Sequence, residues 1–391
     1  MANETFRKIR IAAVPALLAL IAWVEVKQPY PFFRLLSFVF AFLCLVCLAS
    51  LVRGRSRDIL AAFASLAFGL CVFGTVATLA EQKTVLNVTP GWAAYDPVLG
   101  AAPGHPGTYH AEKLDPTSGA TIYSVDYTFD SNLARRTVST DSGRAIVFFG
   151  DSLTFGFGVN DADTLPQALA NLLQPKQRVL NLALGGYSPA QFLRTLETGI
   201  RDAAIGPDPK LFVFLTGAWQ VERTSCKPVW VASAPRYAIE KGDLAFKGRC
   251  YEGWRLQAQR FLWDTAIYRY FVEPYRRNAT HDDIELFAKV LTTAVRLAKD
   301  KYHVDTLIPY VRSAPATFAN TGLSEDDIIK RLRDSGATVI DVSLAKEEAQ
   351  GARIYIPGDG HPTPLANRLR AELLASYIAQ NMAGAPPPRP E

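Results

Sequence analysis

Three short segments of the 391-residue chain hold residue types suited to joint covalent chemistry. Gly150-Asp151-Ser152-Leu153-Thr154 follows directly on the apolar run Ala145–Phe149. A serine hydroxyl is a weak nucleophile: it needs an adjacent base, and donors for the oxyanion it creates. Asp359-Gly360-His361-Pro362 sets a carboxylate and an imidazole close together just before a C-terminal helical stretch. Asn181-Leu-Ala-Leu-Gly-Gly-Tyr187 follows another short apolar run and offers backbone N–H groups. Each segment is a weak signal alone. Together they suit serine attack on a carbonyl, with His361 as base.

The surrounding pattern predicts how these segments meet. Ala145–Phe149 is apolar throughout, as in a strand buried on both faces. Further strands are predicted at Arg178–Leu182, Lys210–Leu215, Val304–Tyr310 and Ala337–Val342. Helices are predicted at Leu165–Leu173, Pro189–Ile200, Asp282–Lys299, Glu325–Asp334 and Pro364–Gln380. Strands alternating with helices imply a parallel sheet covered on both sides. Ligands of such sheets bind at the carboxyl ends of strands, where Ser152 and Asn181 fall. Thr121–Phe129 alternates like a strand with one buried face.

At these positions the chain resembles the SGNH, or GDSL, hydrolase family. Gly150 to Leu153 matches the block that carries the family's nucleophilic serine. Asn181 to Gly186 resembles the second block, with Gly186 the better match to its oxyanion glycine and Gly185 its neighbour. His361 resembles the catalytic base. The resemblance covers about residues 144–382. It implies a flavodoxin-like three-layer α/β/α fold and a carboxylic-ester substrate. Ser152, His361 and Asp359 are then the expected catalytic residues, with the N–H groups of Ser152 and Gly186 as oxyanion donors.

Two departures stand out. The family's third block, Gly-x-Asn-Asp, is replaced by Thr216-Gly217-Ala218-Trp219-Gln220, and the oxyanion asparagine is missing. Gln220 is the expected substitute amide, with Arg223 a charged alternative. Asp151, Thr154, Trp219 and Arg223 are expected to line the site. The family's aspartate usually stands three residues before the histidine; here Asp359 stands two before His361.

The N-terminal region tells where such a site works. Residues 1–58 hold eight basic and three acidic side chains, which accounts for the whole net charge of +5. The remaining residues are neutral in sum, which argues against a nucleic-acid partner. Leu35–Val52 and Ile59–Ala80 carry no charge over 18 and 22 residues, enough to cross a membrane. Ile11–Val24 is shorter and needs Arg10 and Lys27 to snorkel. Arg7, Lys8 and Arg10 precede the first run, and Arg53, Arg55 and Arg57 separate the second from the third. The positive-inside rule puts both groups in the cytoplasm and everything after Glu81 outside. A bacterial-type inner membrane with a periplasmic domain is the expected setting.

The expected division is a three-helix membrane anchor at 1–81, a β-rich lead-in at 82–143 and a hydrolase-like domain at 144–382. An aromatic insertion at 226–280 interrupts that domain and is read as a possible cap over the site. A disordered Pro-rich tail is expected at 383–391. Cys226 and Cys250 are the only cysteines after the spans, and can form a disulfide in an oxidising compartment or stay separate thiols. No metal-ligand spacing or dinucleotide fingerprint is present, so neither metal nor cofactor is expected. The topology favours a membrane-anchored esterase acting on O-acyl, chiefly O-acetyl, groups of an envelope or exported glycan, with a lipid ester second. An O-acyltransferase would use the same residues. A catalytically weakened glycan-binding or assembly component is the reading from a different class.

Overall fold

Alternate side chains of Ala145–Phe149 enter two separate cores. Ala145, Val147 and Phe149 pack with Phe192, Phe212, Phe214 and Leu291 on one face. Ile146 and Phe148 pack with Leu165, Leu169, Leu374 and Ile378 on the other. A strand buried this way has no polar face, which is why its sequence is apolar throughout. Each fully buried side chain of this size contributes roughly 1.5–3 kcal/mol.

The computed structural model describes residues 2–28, 30, 32–81, 85–313, 318 and 321–382. The Pro-rich tail at 383–391 lies outside the described residues. The chain divides into two compact units. One is Met1–Lys83 with Gly253–Arg277, the other Thr84–Glu252 with Asn278–Glu391.

In the second unit, five strands lie in the order Arg178–Asn181, Ala145–Phe149, Leu211–Phe214, Thr306–Val311, Thr338–Asp341. All four pairings are parallel. In chain order this is 2-1-3-4-5, the flavodoxin-like winding. Helices Pro189–Thr198, His281–Tyr302 and Glu325–Asp334 cover one face. Helices Leu165–Leu172 and Pro364–Met382 cover the other. The result is a three-layer α/β/α sandwich.

The lead-in is part of this unit. Strands Val85–Val88, Gly107–Leu114 and Thr121–Phe129 form an antiparallel sheet. Its Tyr109, Tyr123 and Tyr127 share a core with Phe155, Phe157 and Ile356. Arg135 joins it to the main sheet, bridging Phe129 on one side and Asn181 on the other. The Arg135 guanidinium is fully buried, bonds Asp161 at 2.8 Å and donates to the carbonyls of Phe155, Gly156 and Val159. It thereby fixes the loop that follows Ser152.

In the first unit, helices Ala2–Lys27, Phe33–Leu51 and Arg55–Ala80 are each long and apolar enough to cross a membrane. Phe63, Leu66, Phe68, Phe73 and Val76 project outward, as suits a lipid-facing surface. Helix Gly253–Trp263 and the turns through Arg276 cluster with these three. Arg34 pairs with Glu25 and, at 3.2 Å, with Asp264; Arg269 pairs with Glu81. The predicted insertion is therefore divided: residues 226–252 stay with the site-bearing unit, whereas 253–277 join the membrane helices.

Candidate active site

Gly150 adopts φ +144°, and a Cβ there would lie 2.5 Å from the Thr154 hydroxyl oxygen. Only glycine fits, so the chain can turn sharply from the strand into the short helix Ser152–Phe155. Asp151 caps that helix, its Oδ1 accepting from the Leu153 N–H at 2.9 Å. The Ser152 N–H, in the first turn, has no intrahelical acceptor and is available to a ligand.

The Ser152 hydroxyl lies 2.9 Å from His361 Nε2. His361 Nδ1 lies 2.5 Å from Asp359 Oδ2, which also accepts from the His361 backbone N–H at 3.1 Å. An ionised carboxylate only accepts, so Nδ1 carries the proton and Nε2 is free to accept from Ser152. The two-residue spacing is no obstacle: the turn at Gly360 (φ +86°) folds the carboxylate back under the ring. The ring also stacks on Phe157, with centroids 5.4 Å apart.

A fourth group was not foreseen. Lys113 donates from Nζ to Asp359 Oδ1 at 2.5 Å, across 246 residues of sequence. It stands on Gly107–Leu114 opposite Tyr123. Burial pushes the Asp359 carboxyl up, but His361 and Lys113 outweigh that and hold it at about 2. One sequence signal did exist. Tyr109 and Ala111 are the inward positions of this strand, and Lys113 continues their period of two.

Gly186 adopts φ +83°, and a Cβ there would meet only Trp230, at 3.4 Å from Cδ1. Among the described backbone hydrogen bonds, none uses the Gly186 N–H. Trp230 is 51% exposed. It stands on the turn Val229–Val231, whose Val231 packs against the disulfide Cys226–Cys250.

The third strand end corrects the expectation for Gln220. Its side chain is fully buried, and its amide nitrogen donates to Asp151 Oδ2 at 2.9 Å. Trp219 Nε1 donates to the same oxygen at 2.6 Å, and Arg223 pairs with it as well. All three side chains converge on a buried carboxylate, so Gln220 is not a free oxyanion donor. Asp151 and Thr154 do not line the site either: both are fully buried. Trp219 and Arg223 are partly exposed beside them.

No protein-family model and no curated protein sequence matches the chain. Solved structures do resemble it. A protein from Slackia heliotrinireducens, titled a candidate SGNH hydrolase, is 19% identical with a TM-score of 0.31, covering 61% of this chain and 100% of its own. The esterase EstA from Pseudoalteromonas sp., in a form inhibited by monoethylphosphonate, is 12% identical with a TM-score of 0.38, covering 62% and 100%. The esterase AlinE4, as its D162A mutant, is 17% identical with a TM-score of 0.35, covering 64% and 100%.

Proposed function

We propose that the chain is a membrane-anchored serine esterase of the SGNH type. The observation that carries this is the unbroken relay from Ser152 through His361 to Asp359, with Ser152 at a strand end. His361 Nε2 takes the hydroxyl proton as Ser152 Oγ bonds to the ester carbonyl carbon. The N–H groups of Ser152 and Gly186 receive the oxyanion. The same imidazole then protonates the departing alcohol, leaving an acyl-serine. Water, deprotonated by His361, releases the acid and restores Ser152. If a second alcohol replaces water, the outcome is acyl transfer by the same steps.

The substrate class we infer is an O-acyl, chiefly O-acetyl, group on an envelope or exported glycan. Trp230 supports it: a half-exposed indole against the oxyanion glycine is a platform for a sugar ring. The arginine distribution along the first 58 residues supports a periplasmic location for the second unit. A phosphatase fused after Glu81 should be active, and activity of a cytoplasmic reporter there would refute that placement.

The chemistry is tested on the full chain with a fluorophosphonate probe and p-nitrophenyl acetate. Wild type should label and hydrolyse, and Ser152→Ala should lose about 10⁴-fold or more. Absence of both labelling and hydrolysis in the wild type would sink the esterase reading.

A further inference from the structure

Residues Gly253–Arg277 are rich in aromatic and aliphatic side chains with little covering them. Trp254, Phe261, Leu262, Tyr270, Phe271, Val272 and Tyr275 are all exposed, Trp254 and Tyr275 to 76%. The segment holds five arginines and two acids. Asp264 pairs with Arg34 and Arg269 with Glu81, while Arg255 and Arg260 stand on the exposed surface of the segment.

Its position relative to the third span is fixed by contacts. Phe271 meets Phe73 edge to face, with centroids 6.1 Å apart. A Cβ on Gly74 would lie 3.8 Å from Ile267 Cδ1. Phe73 stands seven residues before the helix end at Ala80. At 1.5 Å per residue that is about 10 Å along the axis. The uncharged run Ile59–Ala80 is 22 residues, about 33 Å long, close to the thickness of the hydrocarbon layer. Phe271 therefore reaches a level well inside that layer. Phe73 itself is 58% exposed, so the apolar surface of the span runs on into the surface of the segment.

We propose that Gly253–Arg277 is a second membrane-binding element, embedded in the bilayer interface at the Ala80 end of the third span. Phe261, Leu262, Phe271 and Val272 take acyl chains as their partner. Trp254 and Tyr275 lie at headgroup level, where amphipathic aromatic rings are favoured. Arg255 and Arg260, both exposed, meet lipid phosphates. An insertion of 5–10 Å is typical of such interfacial segments. The chain leaves the site-bearing unit at Glu252 and returns at Asn278, so this element is tied to it at both ends. The inference rests on the three spans and not on the chemistry of Ser152.

The test uses the full chain in nanodiscs of phosphatidylethanolamine and phosphatidylglycerol. Cys44, Cys47 and Cys71 are replaced by alanine, and the Cys226–Cys250 disulfide is kept. Spin labels are placed singly through Leu262→Cys, Phe271→Cys and Tyr275→Cys. Phe73→Cys serves as the lipid reference. Val138→Cys, 65% exposed, serves as the water reference. Collision rates with oxygen and with a water-soluble nickel chelate are compared. The oxygen-to-nickel ratio should be several-fold higher at Leu262 and Phe271 than at Val138, with Tyr275 in between. Ratios equal to that of Val138 at all three positions would overturn the proposal. So would a raised ratio at Phe271 alone, because only the contact with the third span would then be in lipid. Leu262 and Tyr275 are surface positions, so they still report if the Phe271 variant fails to fold.

Discussion

Two strand ends of the same sheet spend their polar groups in opposite ways. After Ala145–Phe149, the groups form a line: Lys113 to Asp359, Asp359 to His361, His361 to Ser152. That line has an open end at the Ser152 hydroxyl. After Leu211–Phe214, the groups form a knot: Trp219, Gln220 and Arg223 all point at Asp151 Oδ2. The knot has nothing left to offer a substrate from its Asp151-facing atoms. Polar composition is similar in the two places. What separates the two arrangements is whether a donor or acceptor remains uncommitted.

After the loss of Ser152 itself, the largest effect on the line should come from Asp359→Asn. Lys113 can only donate, so it turns the new carbonyl oxygen toward itself. The amide NH₂ then faces His361 Nδ1 and favours the tautomer with the proton on Nε2. That nitrogen can no longer accept from Ser152. The expected loss in kcat is about 10³–10⁴-fold, measured on p-nitrophenyl acetate. A loss under tenfold would mean the relay does not govern the base. The same carboxylate sets an acid limit on stability. Its folded value of about 2 lies below the unfolded value of about 3.9. Its contribution is therefore full above about pH 4 and is lost as pH falls toward 2. Thermal unfolding across that window should show a smaller decline in Asp359→Asn than in wild type.

Lys113→Met should act more gently. Asp359 keeps its bond to His361 but loses a neutralising charge. The unbalanced carboxylate then holds the imidazolium proton more tightly. The acidic limb of kcat/KM against pH should move to higher pH, with a loss of about tenfold or less near neutrality. The other groups facing Asp359 are the Tyr123 and Tyr127 phenols, which burial pushes up, so they stay neutral and do not titrate in this range. Lys113→Arg should restore the profile. An unmoved limb in Lys113→Met would reduce the lysine to a packing role.

How much of this could be read from the sequence follows from where the information sits. The parallel sheet was legible because buried strands and their helices are local patterns, as in Ala145–Phe149 and Glu325–Asp334. The meeting of Ser152, Asp359 and His361 was legible because short motifs carry them. Lys113 was not, since its partner lies 246 residues away and only the fold brings them together. Gln220 misled for a related reason. The sequence places an amide near the missing asparagine, but it does not say that Asp151 claims it first. The division of the aromatic insertion was equally hidden, because nothing local marks Gly253 as the point where the chain joins the membrane helices.

The smallest effect separates the knot from the line most cleanly. If Gln220 were an oxyanion donor, Gln220→Leu would cost about 10²–10³-fold in kcat. The geometry predicts otherwise. Asp151 would keep Trp219, Arg223 and the Leu153 N–H as partners. The Gln220 Oε1 atom is buried without a partner among the described residues, so its removal offsets part of the lost bond. The expected result is a kcat within about tenfold of wild type and a stability loss of about 1 kcal/mol. Activity and thermal unfolding measured on one preparation decide it. A collapse in kcat with unchanged stability would open the knot toward the substrate and return Gln220 to the oxyanion site.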